Sequence, residues 1–427
     1  MDSSQITITP SRDSPKNILN LLNDECIQAI LRKLTNVGDF LSAAETCTQF
    51  QENAKQCYPP EFKEFSIDNE YIKWKHPLSI KCAPSFLRIF GHLIQSLELK
   101  YNGVDQKEKE NYTKVLKMIE NHCGRSLIEL VVNGIDISST NFSKFHVLEK
   151  LNISCCSMIA MELPLKLKVL KLNYVKCEEK FEWHQNHAIH LEEAEFYNVD
   201  YLEDSTFIEF LKFNSQLQRL TINHCDHLTP SVFEEISNLV PDLIELNIGI
   251  RPIFGYHYNG LVTQLGELRQ LKCLNFIAYN QSITSLINTL AWNNLPIEDL
   301  TINDARFELE DLLKLKQLKR LEFSRCTTIS SDVFVKIVKN LPVLTKIQIK
   351  SNISPHELIK ALEYGKHLIE LKIFTFDMHI DLHTYESILM LIKGQLELTV
   401  YDGTIDVDDD ILVKNILSLF NWIHCVI

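Results

Sequence analysis

The chain has 427 residues, 45% hydrophobic and 23% charged, enough apolar material for the large buried core of a soluble globular protein. Its formal net charge is −13, from 43 basic and 56 acidic residues, with no clustered basic stripe, which argues against a nucleic-acid partner. No apolar run is long enough to span a membrane, and twelve cysteines at irregular spacing read as reduced thiols of the cytosol or nucleus.

Residues 1–14 are polar and rich in Ser and Thr, which predicts a disordered tail without the apolar run of a secretory leader. Residues 15–57 follow as a helical module. Ile27, Ile30, Leu31 and Leu34 stand at i, i+3, i+4 and i+7, one face of a helix. Asn23 can cap that helix, and Asp24 and Glu25 suit its positive end. Asn36-Val-Gly38 reads as a turn. Asp39 is then the expected cap of a second helix with apolar positions Phe40, Ala43, Ala44, Cys47, Phe50 and Ala54. A module of about 40 residues is marginal alone, so it is expected to lean on a partner or on the chain that follows.

This segment resembles an F-box, whose pattern is Leu-Pro-x-Glu, apolar residues at helical spacing, an Asp-Leu pair, and Cys with an aromatic three positions on. Leu22, Glu25, Ile27, Ile30, Leu31, Leu34, Asp39-Phe40, Cys47 and Phe50 match, with Asn23 in place of the usual Pro and Phe50 in place of the usual Trp. The resemblance implies docking on a Skp-family adaptor through Leu22, Ile27, Ile30, Leu31, Leu34, Phe40 and Phe50, and through the adaptor a link to cullin and RING subunits. The residues alone also allow a plainer reading, a helical cap for the repeats that follow.

Residues 58–92 read as a linker with an irregular first strand at Phe62, Phe65 and Ile67, and Trp74 as a packing residue. Over 93–392 a phrase recurs: apolar, two variable residues, apolar, one variable, apolar. Twelve copies start at Ile94, Leu127, Leu148, Leu167, Leu191, Leu217, Leu243, Leu271, Ile297, Leu318, Leu344 and Leu368. From Leu127 to Leu368 ten intervals cover 241 residues, a mean of 24.1, inside the roughly 20–29-residue period of leucine-rich repeats. The fourth and sixth places are two apart, so on a short strand both face the same way. One repeat cannot bury that edge; a stack can, by pairing its strands into a parallel sheet.

The ninth place is Cys156, Cys225 and Cys326 in three copies and Asn102 and Asn352 in two, side chains able to satisfy backbone groups where the chain leaves the strand. After Cys225 and Cys326, Phe233/Ile236/Val240 and Phe334/Ile337/Val338/Leu341 fall at helical spacing, with Ser231 and Ser331 as N-caps and Pro241 and Pro342 as stops. This unit resembles the cysteine-containing leucine-rich repeat. The charge run from Asp105 predicts a solvated loop or helix face. Residues 393–427 are expected to form a C-terminal cap, with Asp408–Asp410 capping a final helix. The expected fold is therefore α/β, a leucine-rich-repeat horseshoe with a parallel inner sheet and helices or loops outside, preceded by a small helical module.

Variable places beside the inner residues should form a polar face. Arg219, Asn223, Glu245, Asn247, Arg320 and Lys346 are its candidate target contacts, Arg being common where interface energy concentrates. The loop Arg251-Pro-Ile-Phe254-Gly-Tyr256-His-Tyr258 offers Phe254, Tyr256 and Tyr258 either as an aromatic contact patch or as rings tucked into the core by a longer loop. No nucleotide loop or nucleophile motif stands out, and His184/His187/His190, His379/His383 and His224-Cys225-Asp-His227 lack a metal-site pattern. The expectation is a non-enzyme without cofactor or metal. It would be the substrate receptor of a cullin–RING ubiquitin ligase in the cytosol or nucleus, with an unidentified target protein; the alternative is a repeat scaffold without a ligase link.

Overall fold

A computed structural model describes residues 22–68, 77–158, 160–177, 182–183, 190–249, 259–306, 312–324, 330–350, 353–375, 382–392, 396–402 and 423–426. Contacts divide the chain into Met1–Ile135 with Lys144–Leu148, and Asp136–Ser143 with Glu149–Ile427. Among the described residues no helix is long and apolar enough to cross a membrane.

The first unit begins with three short helices. In α1 (Asp24–Leu31) the Asn23 side chain accepts from the Cys26 N–H at 2.9 Å, the expected cap, and Ile27 and Leu31 are buried. Helix α2 (Val37–Ala44) starts earlier than expected. Asn36 Oδ1 accepts from the N–H groups of Gly38 and Asp39 at 2.7 and 3.2 Å, so Asn36, not Asp39, is the cap. The helix also stops earlier. The Ala43 carbonyl, which a continuing helix would offer to the Cys47 N–H, accepts instead from the Thr46 N–H and hydroxyl at 3.2 and 2.7 Å. Cys47 is extended, and α3 (Thr48–Gln56) starts anew. Asn53 ties α3 to α1: its amide donates to Asp24 at 2.8 Å and accepts from Gln28 at 2.9 Å.

The head does not pack alone. Phe40 lies with ring centroids 5.4 Å from Phe62 and 5.5 Å from Phe90, the latter in α4 (Ala83–Phe90), and 6.1 Å from Tyr58. Around this aromatic core run four parallel strands in the order β2 (Pro77–Leu78), β1 (Glu64–Asp68), β3 (Ser96–Lys100), β4 (Glu129–Asn133). The strand expected to be irregular is regular: Phe65 pairs with Leu97 and Ile67 with Leu99, and Phe62, Phe65 and Ile67 are buried. The charge run opens α5 (Gln106–Cys123), capped by Asp105 and burying Tyr112, Val115, Leu116 and Ile119 on its other face.

The second unit carries twelve described strands of one parallel order, not closed into a barrel. They are β5 (Lys150–Ser154), β7 (Val169–Asn173), β9 (Glu193–Tyr197), β10 (Arg219–Asn223), β11 (Glu245–Gly249), β12 (Cys273–Ser282), β13 (Asp299–Arg306), β14 (Arg320–Ser324), β15 (Lys346–Lys350), β16 (Glu370–Thr375), β17 (Glu397–Asp402) and β18 (Ile423–Val426). A small separate pair joins β6 (Ala160–Met161) to β8 (Glu182–Trp183). In all twelve repeats the fourth- and sixth-place side chains are buried, from Leu97/Leu99 to Leu371/Ile373. Neighbouring copies stand in register, as Leu220 with Leu246 and Ile222 with Ile248, so each apolar pair stacks on the next.

The connections are less regular than the spacing predicts. Phe233, Ile236 and Val240 are buried, but on a 3-10 turn (Pro230–Phe233) and a single α turn (Ile236–Leu239), not on one helix capped by Ser231. The helix Ser331–Asn340 forms as expected, with Ser330 rather than Ser331 at its cap and Phe334, Ile337 and Val338 buried. Strands β17 and β18 continue the sheet inside the segment expected to be a cap, Leu398 pairing with Leu371 and with Ile423. The copy at β17 escapes the sequence pattern because Gln395 stands at its first place. Residues 403–422, including Asp408–Asp410, lie outside the described residues, as do the 1–14 tail and Trp74.

Candidate binding surfaces

Six of the twelve repeats leave their strands in the same way. The eighth place has positive φ in Gly134, Cys155, Tyr174, Asn198, His224 and Asp304. At Gly134 a Cβ would lie 2.0 Å from the Tyr101 carbonyl oxygen, which only glycine avoids. The ninth place then turns inward: Ile135, Cys156, Val175, Val199, Cys225 and Ala305 are buried. The Cys225 thiol donates to the Asn223 and Phe196 carbonyls at 3.6 and 3.8 Å, and Cys156 to the Ser154 carbonyl at 3.2 Å, the backbone role expected of this place. Cys326 and Asn352 lie outside the described residues, and Asn102 is exposed. Burial pushes the Cys123, Cys177 and Cys225 thiols up to about 12, so these sulfurs stay protonated packing groups at neutral pH. Among the described residues no three His, Cys, Asp or Glu side chains gather as a metal site.

On the head, the structure separates the seven positions expected to dock the adaptor by exposure. Ile27, Leu31, Phe40 and Phe50 are buried, Phe40 against Phe62 and Phe90, and present no surface to a partner. Ile30 is 46% exposed, and Leu22 and Leu34 are half-buried. Ile30 thus stands outward on a helix that buries Ile27 and Leu31.

The other surface is the face of the second unit's sheet formed by the third, fifth and seventh places. Arg219 pairs with Glu245 across β10 and β11, and Thr221 with Asn247, so Arg219, Glu245 and Asn247 form one group, while Asn223, expected as a contact, is buried beneath it. Asn223 donates to Asn247 at 3.2 Å, and Arg219 Nε to Glu193 at 3.0 Å. Lys171 completes that cluster, 2.7 Å from Glu193 and 3.1 Å from Glu195. Burial alone would raise the Glu193 carboxyl, but Lys171 and Arg219 hold it below its ordinary range. Arg320 and Lys346 pair in a second group across β14 and β15. There Arg320 reaches Glu322 at 3.2 Å and Asp299 at 3.5 Å, Lys346 reaches Glu370 at 3.0 Å, and Gln348 donates to Glu322 at 2.8 Å. Arg320, Glu322, Lys346, Gln348 and Glu370 line a polar hollow of about 260 Å³. The charges are thus held in networks, leaving a pre-ordered polar surface. Phe254, Tyr256 and Tyr258 lie outside the described residues.

Sequence reasoning missed an aromatic row where the strands end. Ring centroids of Tyr174 and Tyr197 are 5.1 Å apart, Tyr197 and His224 5.1 Å, and His224 and Tyr279 6.4 Å. Beside it Tyr201 stacks on His227 at 4.6 Å. The signal was present: Tyr174 and His224 occupy the eighth place, Tyr197 the seventh and Tyr279 the ninth. It was hidden because the eighth place reveals itself only through its left-handed backbone. No protein-family model matches the chain, and a search of curated proteins found no significant relative.

Proposed function

We propose that the chain is the substrate-recognition subunit of a cullin–RING ubiquitin ligase, an F-box protein with leucine-rich repeats acting in the cytosol or nucleus. Its head docks on a Skp-family adaptor, which links it to the cullin and RING subunits. The strand face of its repeats holds a target protein for ubiquitination. The observation that carries this reading is the pairing of two unlike surfaces on one chain: an outward Ile30 on a head with F-box spacing, and a long parallel sheet with a pre-ordered polar face. In this reading the chain does no covalent chemistry; it brings two proteins together.

Adaptor contact falls to Ile30, Leu22 and Leu34, while Ile27, Leu31, Phe40 and Phe50 keep the helices in shape. The test is capture of purified Skp-family adaptor by the full chain and by Ile30→Asp, with circular dichroism to check folding. Retention by the intact chain and loss in a folded Ile30→Asp chain support the reading; no retention by the intact chain contradicts it. A second reading, a repeat scaffold with a helical cap and no ligase link, is favoured by the shared aromatic core of Phe40, Phe62 and Phe90, the packing a cap requires. Adaptor capture separates the two.

A further inference from the structure

The aromatic row of the second unit is more than packing. Tyr174 is 49% exposed and Tyr201 42% exposed, while Tyr197, His224 and Tyr279 are half-buried. Tyr174, Tyr201, His224 and Tyr279 all adopt positive φ, a conformation that costs a bulky residue energy and recurs where ligands are held. At the eighth place that conformation is a feature of the repeat exit, and aromatic side chains occupy it at Tyr174 and His224. The rings are held in place: Tyr174 packs against Tyr197, and the Tyr279 hydroxyl donates to the Gly249 carbonyl at 3.0 Å. Rigid tyrosines offer a partner large contact area at low entropic cost.

The charge around the rings selects the partner. On the adjoining strands stand Glu193, Glu195 and Glu245 with Lys171 and Arg219, and the tenth places add Asp200, Asp226 and Lys176. Five carboxylates therefore stand with four cations, the fourth being Arg306 at the tenth place of the repeat starting at Ile297, whose Nε donates to Asn280 at 2.8 Å. Both Lys171 and Arg219 are already engaged with Glu193, whereas among the described residues Asp200, Asp226 and Glu245 have no Lys or Arg ion-pair partner. Asp200 and Asp226 adjoin the stacked pair Tyr201 and His227 in sequence. Ring faces bordered by unneutralised carboxylates attract Lys or Arg side chains, through the ring quadrupole and through ion pairing.

From this geometry we propose that the row Tyr174–Tyr197–His224–Tyr279, with Asp200 and Asp226 beside it, binds a Lys- or Arg-bearing extended segment of the target protein. The proposal deepens the target-binding reading of the strand face and is independent of the adaptor. Successive cations of the segment lie over successive rings, and the carboxylates fix which segment is accepted. An acidic segment is repelled.

The experiment selects binders from a displayed library of random dodecapeptides on the purified full chain. Selected peptides are then measured by fluorescence anisotropy against Tyr197→Leu, which keeps apolar bulk but removes the ring, and Asp200→Asn with Asp226→Asn, which keeps shape but removes charge. The proposal expects binders enriched in Lys and Arg, weakened by added salt and weakened roughly ten-fold or more by each variant. Circular dichroism checks that both variants are folded. Neutral or acidic binders, an empty selection, or affinity unchanged in both folded variants would overturn it. No adaptor takes part, so this result stands or falls apart from adaptor capture.

Discussion

The two units expose opposite kinds of chemistry. The head helices of the first present an isolated apolar side chain, Ile30, above a core of Ile27, Leu31 and Phe40. The strand face of the second presents rings and networked charges: Lys171 with Glu193 and Glu195, Arg320 with Asp299 and Glu322, Lys346 with Glu370. The difference teaches how each surface is kept in shape. A short helix bundle holds its outward residue by burying everything behind it, and borrows Phe62 and Phe90 to do so. A parallel sheet is already rigid through its stacked apolar pairs, so its other face is free to vary from repeat to repeat.

That contrast can be broken most sharply at Phe40. Phe40→Ala removes a fully buried ring shared by α2 and the chain before β3, and is expected to cost about 3–5 kcal/mol in urea unfolding. Limited proteolysis should then open the head and β1 to β4 together; cleavage confined to residues 22–57 would show that the head folds independently. Gly134→Ala comes next. It forces a Cβ onto the Tyr101 carbonyl at positive φ, and a loss of about 1–3 kcal/mol is expected in the same assay. An unchanged midpoint would contradict the repeat-exit geometry.

Glu120 tests a buried charge of the first unit. Its carboxylate is wholly buried, 2.7 Å from Lys117 and 2.6 Å from Lys144. Glu120→Ala should cost about 1–3 kcal/mol, more than removing an exposed, solvent-screened partner such as Glu298 of the Lys319–Glu298 pair. Denaturant melts of both variants compare the two directly.

The second unit's charge networks predict a pH response. Lys372 and Lys346 hold the Glu370 carboxyl below its ordinary value, and Lys171 and Arg219 do so for Glu193 against the opposing effect of burial. A carboxyl with a depressed folded-state pKa contributes stability above its ordinary value and loses it as pH falls through the depressed one. Thermal melting of the wild-type chain should therefore drop on acidification through and below the ordinary carboxylate range, and Glu370→Gln should flatten that drop. Asp299 runs the other way, since burial raises it despite Arg320; Asp299→Asn should not flatten the acid side.

Much of the fold could be read from the residues alone. The alternation at the fourth and sixth places announced β3, β4, β5, β7 and β9 to β16, because a buried sheet edge tolerates nothing else. Strands β17 and β18 were missed because Gln395 interrupts the phrase and their partners come from the sheet, not from local sequence. The helix break at Cys47 was missed because Phe50 and Ala54 keep the apolar spacing across it; only the Thr46 hydroxyl's bond to Ala43 ends the helix. Arg219 beside Glu245 and Arg320 beside Lys346 followed from repeat register. Which of the head's apolar positions face outward did not, because the same apolar spacing serves a core and a contact. The aromatic row lay beyond reach for a related reason: a residue at the eighth place points out of the sheet only once its backbone is left-handed.

The smallest expected structural effect gives the most direct test. Ile30→Asp alters an exposed position, so its stability should stay within about 0.5 kcal/mol of the wild type. Measured beside the intact chain for capture of purified Skp-family adaptor, that folded variant is expected to lose the adaptor while the intact chain retains it. An intact chain that fails to retain the adaptor, or an Ile30→Asp chain that retains it equally well, would contradict docking through the exposed face of the head.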